Sequence, residues 1–244
     1  MKKDLSFLTS NLIAHRGYHD KLNGIPENSM KAFIKAIQNH YIIELDVHLL
    51  KDGNVVVFHD DNLKRLTGVD KKIKDMTYDE IKNLKLYDTD EVIPLLTDVL
   101  KLVSGKVPLI IELKTDVKVG KLEREVLKIL QSYEGKFCIK SFNPLSIYYI
   151  KRKNPQIIRG QLVSELKNEK MNKLVKIVFK KMLFNFITKP DFISCDIKYV
   201  AHKRVQKLRK NKVILGWTIR KKSNMRKSKK YCDNFIVENI DKII

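Results

Sequence analysis

At 244 residues, with 43% hydrophobic and 32% charged side chains, the chain has the composition of a globular protein and the length of one α/β barrel. No run approaches the ~20 consecutive apolar residues of a membrane span, and the opening MKKDLSFLTSNLIAHRG lacks both an unbroken apolar core and a small-residue cleavage site, so no signal peptide is expected. Three widely spaced cysteines (Cys138, Cys195, Cys232) without a CxxC indicate neither a disulfide framework nor a zinc site, and the cytoplasm is the expected compartment.

Residues 11–14 (NLIA) read as a short apolar strand ending in His15-Arg16-Gly17, where glycine permits a sharp turn. Asn28 or Ser29 caps a helix with Met30, Phe33, Ile34 and Ile37 on one face. Two runs rich in β-branched residues, Tyr41 to Leu50 and Asn54 to His59, flank Asp52-Gly53, the signature of a two-residue hairpin turn. So short a link makes the arms antiparallel, because parallel strands need a crossover of about a dozen residues. Residues 60–97 form a small polar excursion with a helix signal from Thr77 to Leu84, capped by Thr77 and Glu80. A helix at 95–103, a buried strand at 107–112, an amphipathic helix at 122–130, a strand at 137–142 and a helix from Asn143-Pro144 to Lys153 follow. Strand-like runs recur at 157–163, 192–197, 213–219 and 235–237, with helical stretches at about 168–187 and 201–210. With the second hairpin arm counted as a branch, eight strands alternate with helices. That is the α/β pattern of a closed (β/α)8 barrel, distorted where the hairpin interrupts it. Residues 1–244 read as one barrel domain with 60–97 inserted.

If Asp52 and Gly53 are the turn, Lys51 faces Asn54, Asp46 faces His59 and Glu44 faces Asp61. Alternation then places Glu44, Asp46 and His48 on one side with His59 and Asp61, and Ile43, Leu45, Val47 and Phe58 on the other. A hairpin with its polar face in water has the same alternation. The apolar run before Glu44 argues for burial instead, and buried carboxylates need a metal or another cation. Such a barrel carries its site at the C-terminal ends of its strands, and His15, Arg16, Glu44, Asp46, His59, Glu112 and Lys114 recur at or near those ends. Three carboxylates from two strands suit a hard divalent cation, Mg2+ or Ca2+. His15 and His59 suit general acid–base work, and Arg16 and Lys114 suit an anionic oxygen such as phosphate. Singly, each has a blander explanation: a histidine after a strand commonly makes a local hydrogen bond, and Glu112 with Lys114 is also a plain ion pair. Their recurrence at corresponding strand ends carries the weight. His19, His40, His48 and His202 have no comparable setting.

The segments IAHRGYHD (13–20), PENS (26–29), IELDVHLLKDGNVVVFHD (43–60), IIELK (110–114), SF (141–142) and GWT (216–218) resemble, in order and over most of the chain, the motifs of the glycerophosphodiester phosphodiesterases. The resemblance implies a TIM-barrel phosphodiesterase with one divalent cation on Glu44, Asp46 and Glu112. It makes His15 and His59 the acid–base pair and Arg16 a phosphate contact, with Glu27, Lys114 and Trp217 near the site. The implied reaction turns a small-molecule phosphodiester into an alcohol and glycerol 3-phosphate. One departure is the last strand, where the family often ends in Thr-Asp and this chain has Val237-Glu238-Asn239, which leaves the role of Glu238 open.

The net charge of +21 is concentrated: residues 151–230 hold 25 Lys and Arg against 4 Asp and Glu, and the remainder balances at 24 of each. Such a patch implies an anionic partner. Within it, Met171 to Ile187 sets Met171, Leu174, Val175, Val178 and Met182 at helical spacing among lysines, a pattern that fits either an interfacial helix on an anionic membrane or a barrel helix with solvated lysines. Peripheral contact at the inner membrane surface is therefore one expectation. Alternatives to the soluble phosphodiesterase are a lysophospholipase-D-like enzyme and a non-catalytic membrane-binding barrel. No base-reading motif supports specific nucleic-acid binding.

Overall fold

The computed structural model describes residues 3–115, 118–165 and 184–243. Eight parallel strands, β1 (Ile13–Ala14), β2 (Ile42–Leu49), β4 (Leu109–Leu113), β5 (Phe137–Ser141), β6 (Ile158–Val163), β7 (Phe192–Asp196), β8 (Val213–Ile219) and β9 (Asn234–Val237), close into a barrel in that order, with β9 and β2 both pairing to β1. The ninth strand, β3 (Val55–Val57), lies antiparallel on the end of β2. The predicted (β/α)8 barrel with a hairpin branch is the fold observed. Between strands run α1 (Met30–Gln38), α2 (Lys64–Thr67), α3 (Tyr78–Ile81), α4 (Leu96–Val103), α5 (Lys121–Leu130), α6 (Pro144–Lys153), α7 (Asn185–Thr188), α8 (Lys203–Arg209) and α9 (Lys222–Ser228). Most of the Met171 to Ile187 segment lies outside the described residues. The α9 turn carries no apolar periodicity and was not predicted.

Strand period sorts the side chains. Ile43, Leu45, Val47, Leu109, Ile111, Ile139, Ile193 and Ile214 join the layer between sheet and helices. Ile13, Ile42, Ile110, Cys138, Phe192, Leu215 and Ile236, one position out of step, fill the barrel together with Phe7 and Leu8. Both faces of each strand are thus covered, so the runs read as nearly continuous apolar sequence. Glu44, Asp46, Glu112 and Lys140 share the inward parity and sit above the apolar plug. Ser29 caps α1 by accepting from the Ala32 N–H at 3.2 Å. The buried face of α1 is Ala32, Phe33 and Ala36, with Met30 and Ile37 partly buried against the same core; of the predicted Met30–Phe33–Ile34–Ile37 face only Ile34 departs, at 40% exposed. The small alanines allow close approach of the helix to the sheet.

The hairpin differs from expectation by one residue. Val47 pairs with Val57 and Leu49 with Val55, so Leu50 faces Asn54 across a three-residue loop, Lys51-Asp52-Gly53, with Gly53 at φ +89°. Leu50 N–H donates to Asn54 O (2.9 Å) and Gly53 N–H to Leu50 O (3.1 Å). Lys51 leaves the ladder because its N–H donates to Met76 O (2.9 Å), and Asp52 accepts from the N–H groups of Asn54 and Tyr78. A three-residue loop ending in a left-handed glycine is the next most common hairpin solution. In this register Phe58 leaves the Ile43–Leu45–Val47 side and joins a second apolar cluster with Leu50, Val56, Leu63, Leu66, Ile73, Met76, Ile81, Leu86 and Ile93. The stretch read as a polar excursion therefore packs around its own small core, and its helix signal is realised only as the short α3, closed at its start by the Thr77–Glu80 capping box.

Gly160 takes an inward position on β6, and a Cβ there would lie 2.2 Å from Phe192 Cζ. The missing side chain is what lets the Phe192 ring fill the barrel. Gly160→Val is expected to lower stability by about 1–3 kcal/mol, the usual cost of overpacking a tight core, measured as a lower urea midpoint at unchanged m-value.

Candidate active site

The carboxylates of Glu44 and Asp46 on β2 and Glu112 on β4 project into the mouth of the barrel. All three are buried, and one oxygen from each lies within 4.8 Å of the others. Register explains the cluster: Asp46 pairs with Glu112, and Glu112 with Lys140 on β5. Lys140 Nζ stands 2.8 Å from Glu44 Oε1 and 3.2 Å from Glu112 Oε2. Lys114 Nζ donates to Glu112 Oε1 at 3.0 Å and lies 3.5 Å from Asp46 Oδ1. Arg16, held at φ +57° just past β1, directs its N–H to Glu44 Oε2 at 3.0 Å and its Nε to within 3.4 Å of Asp46 Oδ2. Asn28 Nδ2 donates to Asp46 Oδ2 at 3.1 Å. Burial opposes charge on Arg16, Asp46, Glu112, Lys114 and Lys140, and attraction between opposite charges outweighs it. Asp46 and Glu112 are held below the usual carboxylate range by their lysines, and Lys114 and Lys140 are held above theirs by the acids. The donor set, all carboxylate oxygen and convergent, fits Mg2+ or Ca2+ better than a nitrogen- and sulfur-seeking metal.

The two histidines flank this cluster, and each is tied down through Nδ1. His15 Nδ1–H donates to Glu238 Oε1 at 2.6 Å, and Arg220 Nε donates to Glu238 Oε2 at 2.6 Å. His59 Nδ1–H donates to Asp60 Oδ1 at 2.6 Å, and Arg65 Nε donates to Asp60 Oδ2 at 2.5 Å. Burial works against charge on Glu238 and Asp60, but each histidine and arginine together keep the carboxyl ionised well below its usual range. Ionised partners fix the proton on Nδ1 and leave Nε2 as the free position of both rings. His15 Nε2 lies 3.9 Å from Glu44 Oε2. His59 is not on a strand and does not face Asp46 across the ladder. It reaches the cluster from the turn after β3, where Phe58 N–H bonds to Asp46 O (3.0 Å) and the His48 ring donates from Nε2 to the His59 carbonyl at 3.1 Å. Burial lowers the pKa of His48.

Glu27 touches neither cluster nor histidine. It bridges Arg16 (2.6 Å) and Arg65 (2.7 and 2.9 Å), joining the β1 turn to the inserted segment. A cleft of about 320 Å³ opens over these groups, lined by His15, Arg16, Asp46, His59, Lys114 and Lys140 on one side and by Phe142, Leu162, Ile197 and Trp217 on the other. The Trp217 ring meets Phe142 edge-on at 5.7 Å. The structure brings His15, Arg16, Glu44, Asp46, His59, Glu112 and Lys114 together at the barrel mouth, with Trp217 lining the same cleft and Glu27 one ion pair away on Arg16. Sequence reasoning missed Lys140, Asp60, Arg65, Arg220 and Asn28. Only Lys140 carried a visible signal, a charge inside the otherwise apolar inward row of FCIKSF.

Residues 15–242 match the sequence model of the glycerophosphoryl diester phosphodiesterase family. A glycerophosphodiester phosphodiesterase of Caldanaerobacter subterraneus is 37% identical over 162 residues, 62% of this chain and 65% of that protein. A rat lysophospholipase D is 32% identical over 146 residues, 54% of this chain and 44% of that protein. The aligned region thus spans slightly under two thirds of the first relative and under half of the second. An Oleispira antarctica phosphodiesterase, solved in complex with its product sn-glycerol-3-phosphate, superposes with a TM-score of 0.82 at 24% identity, covering 97% of this chain and 96% of that one, and so shares the fold. With the family pattern running from the first histidine to beyond Glu238, the chain belongs to the glycerophosphoryl diester phosphodiesterase family.

Proposed function

We propose that the protein hydrolyses glycerophosphodiesters to an alcohol and glycerol 3-phosphate, with one divalent cation, Mg2+ or Ca2+, on Glu44, Asp46 and Glu112 and with His15 and His59 as the proton-transfer pair. The observation that carries this reading is the pair of Nδ1-anchored imidazoles on either side of three buried, convergent carboxylates. A bound divalent cation supplies polarisation of the phosphate and neutralises its developing charge. Arg16 and Lys114 orient the anionic oxygens beside the carboxylates. One imidazole takes a proton from the attacking hydroxyl at Nε2, and the other delivers a proton from Nε2 to the leaving oxygen. Glu238 and Asp60 hold each ring in that tautomer and stabilise the imidazolium form, as a buried carboxylate does in a catalytic triad.

A second reading, cleavage of lysophospholipids, draws support from the apolar wall of the cleft and from Leu145, 52% exposed at the start of α6 just after Phe142. An acyl chain leaving the cleft on that side would follow Phe142 and Leu145. Lys198, which lines the same cleft, suits an anionic bilayer surface, which extends the reading to a protein held peripherally on the cytoplasmic side of a membrane. Among the described residues no helix is long and apolar enough to cross one. Flotation with anionic and neutral vesicles tests the contact: binding to anionic vesicles alone is expected, and binding to neither removes it.

Glycerol 3-phosphate release from glycerophosphocholine should require added Mg2+ or Ca2+ and stop with chelator. His15→Ala and His59→Ala should each lower kcat by about 10²–10⁴, the usual worth of general acid–base catalysis. Turnover that survives chelation or either substitution contradicts the reading.

Glu238→Gln and Asp60→Asn are expected to lower kcat at least about tenfold with KM changed less than about threefold, because a lost anchor misplaces the tautomer without removing a substrate contact. Both native carboxyls have folded pKa values below their unfolded ones of about 3.9–4.3. Their stabilising contribution is therefore fully present above that range and is lost progressively as pH falls below it, through the lower folded-state values. The urea midpoint of wild type should fall more steeply below about pH 4 than that of Glu238→Gln.

A further inference from the structure

Lys140 has no part in the mechanism above, yet it occupies the centre of the site. It is 2% exposed, lines the same cleft as both histidines, and places its ammonium on Glu44 Oε1 and Glu112 Oε2. Those carboxylates are two of the three proposed cation ligands, so a divalent cation and the ammonium compete for the same oxygens. The other oxygens are engaged as well: Lys114 holds Glu112 Oε1 and Asp46 Oδ1, Arg16 holds Glu44 Oε2, and Asn28 holds Asp46 Oδ2. Three carboxylates face Lys114, Lys140 and the Arg16 guanidinium, which Glu27 shares at 2.6 Å, so most of their charge is compensated before any metal arrives. A dication added with nothing moved would leave excess positive charge in a buried cluster, which the protein interior disfavours. An anion has to enter with it, and one of the resident cations has to give way.

Building on the phosphodiesterase reading, we propose that Lys140 is the resident counter-ion of the cation site. It holds Glu44 and Glu112 together until a divalent cation takes their oxygens, and its ammonium then turns to a non-bridging oxygen of the phosphate. Cation and phosphate thereby bind cooperatively through one side chain. Lysine suits this because its charge sits on a flexible four-carbon stem that can change partners within a cleft. The coupling is reciprocal, since whatever factor phosphate adds to cation affinity the cation adds to phosphate affinity.

Isothermal titration of the whole protein with Mg2+ or Ca2+, with and without saturating glycerol 3-phosphate, tests this. In wild type the cation should bind about tenfold or more tightly with glycerol 3-phosphate present, within the usual span of allosteric couplings. In Lys140→Met, and likewise in Lys140→Gln, cation affinity without phosphate should rise about tenfold and the coupling should shrink below about threefold. Equal wild-type affinity with and without glycerol 3-phosphate overturns the proposal without recourse to a variant, as do folded variants that keep the wild-type values. A protein that binds no cation and cleaves no glycerophosphodiester fails the underlying reading. One that does both without coupling fails this proposal alone.

Discussion

Three carboxylates cannot be buried at the mouth of an apolar barrel without positive charge beside them, and the arrangement of the barrel mouth follows from how this chain supplies it. Glu44, Asp46 and Glu112 sit above a plug built from Ile42, Ile110, Cys138 and Phe192, so no solvent below compensates them. The β2–β4–β5 register brings Lys114 and Lys140 to their oxygens, and the left-handed turn at Arg16 brings a backbone N–H and a guanidinium from the other side. Losing one partner from such a buried set commonly costs about 3–5 kcal/mol because a bare charge is left behind. The inward charges are therefore interdependent, and the same cluster that fits a divalent cation already satisfies itself.

Around that cluster the two histidines are held by parallel devices of different origin. His15 is anchored across the barrel seam by Glu238 from the end of β9, with Arg220 from the end of β8 behind it. His59 is anchored by its own neighbour, Asp60, with Arg65 from the inserted segment behind it. Arg65 continues through Glu27 to Arg16, so the insertion and the β1 turn are clasped by one chain of ion pairs. The insertion thus has a mechanical role: its small core positions Arg65, and Arg65 positions His59 and Glu27.

The barrel was legible because strands covered on both faces leave continuous apolar runs, and because helices with caps such as Ser29 and Asn143 announce their starts. The acidic and imidazole residues were legible because they interrupt those runs at strand ends. The hairpin register was not, since Asp52-Gly53 favours a two-residue turn locally and only the tertiary bond from Lys51 to Met76 O selects the three-residue loop. That slip would have separated His59 from Asp46 had His59 stayed in the strand. It converges anyway because the chain leaves the ladder after Val57. Glu238 was noticed as a departure but not as the partner of His15, and Asp60 and Arg65 were given no role. His15 and Glu238 are 223 residues apart and Arg65 and Glu27 are 38 apart, pairings that no local pattern encodes.

The measurement that bears most directly on the proposed chemistry is a crystal structure of the protein with Mn2+ and glycerol 3-phosphate, located by anomalous scattering. A single Mn2+ peak among Glu44, Asp46 and Glu112, with the phosphate between the Nε2 atoms of His15 and His59, is the expected result. An Mn2+ peak elsewhere, or a phosphate bound away from both imidazoles, would contradict it.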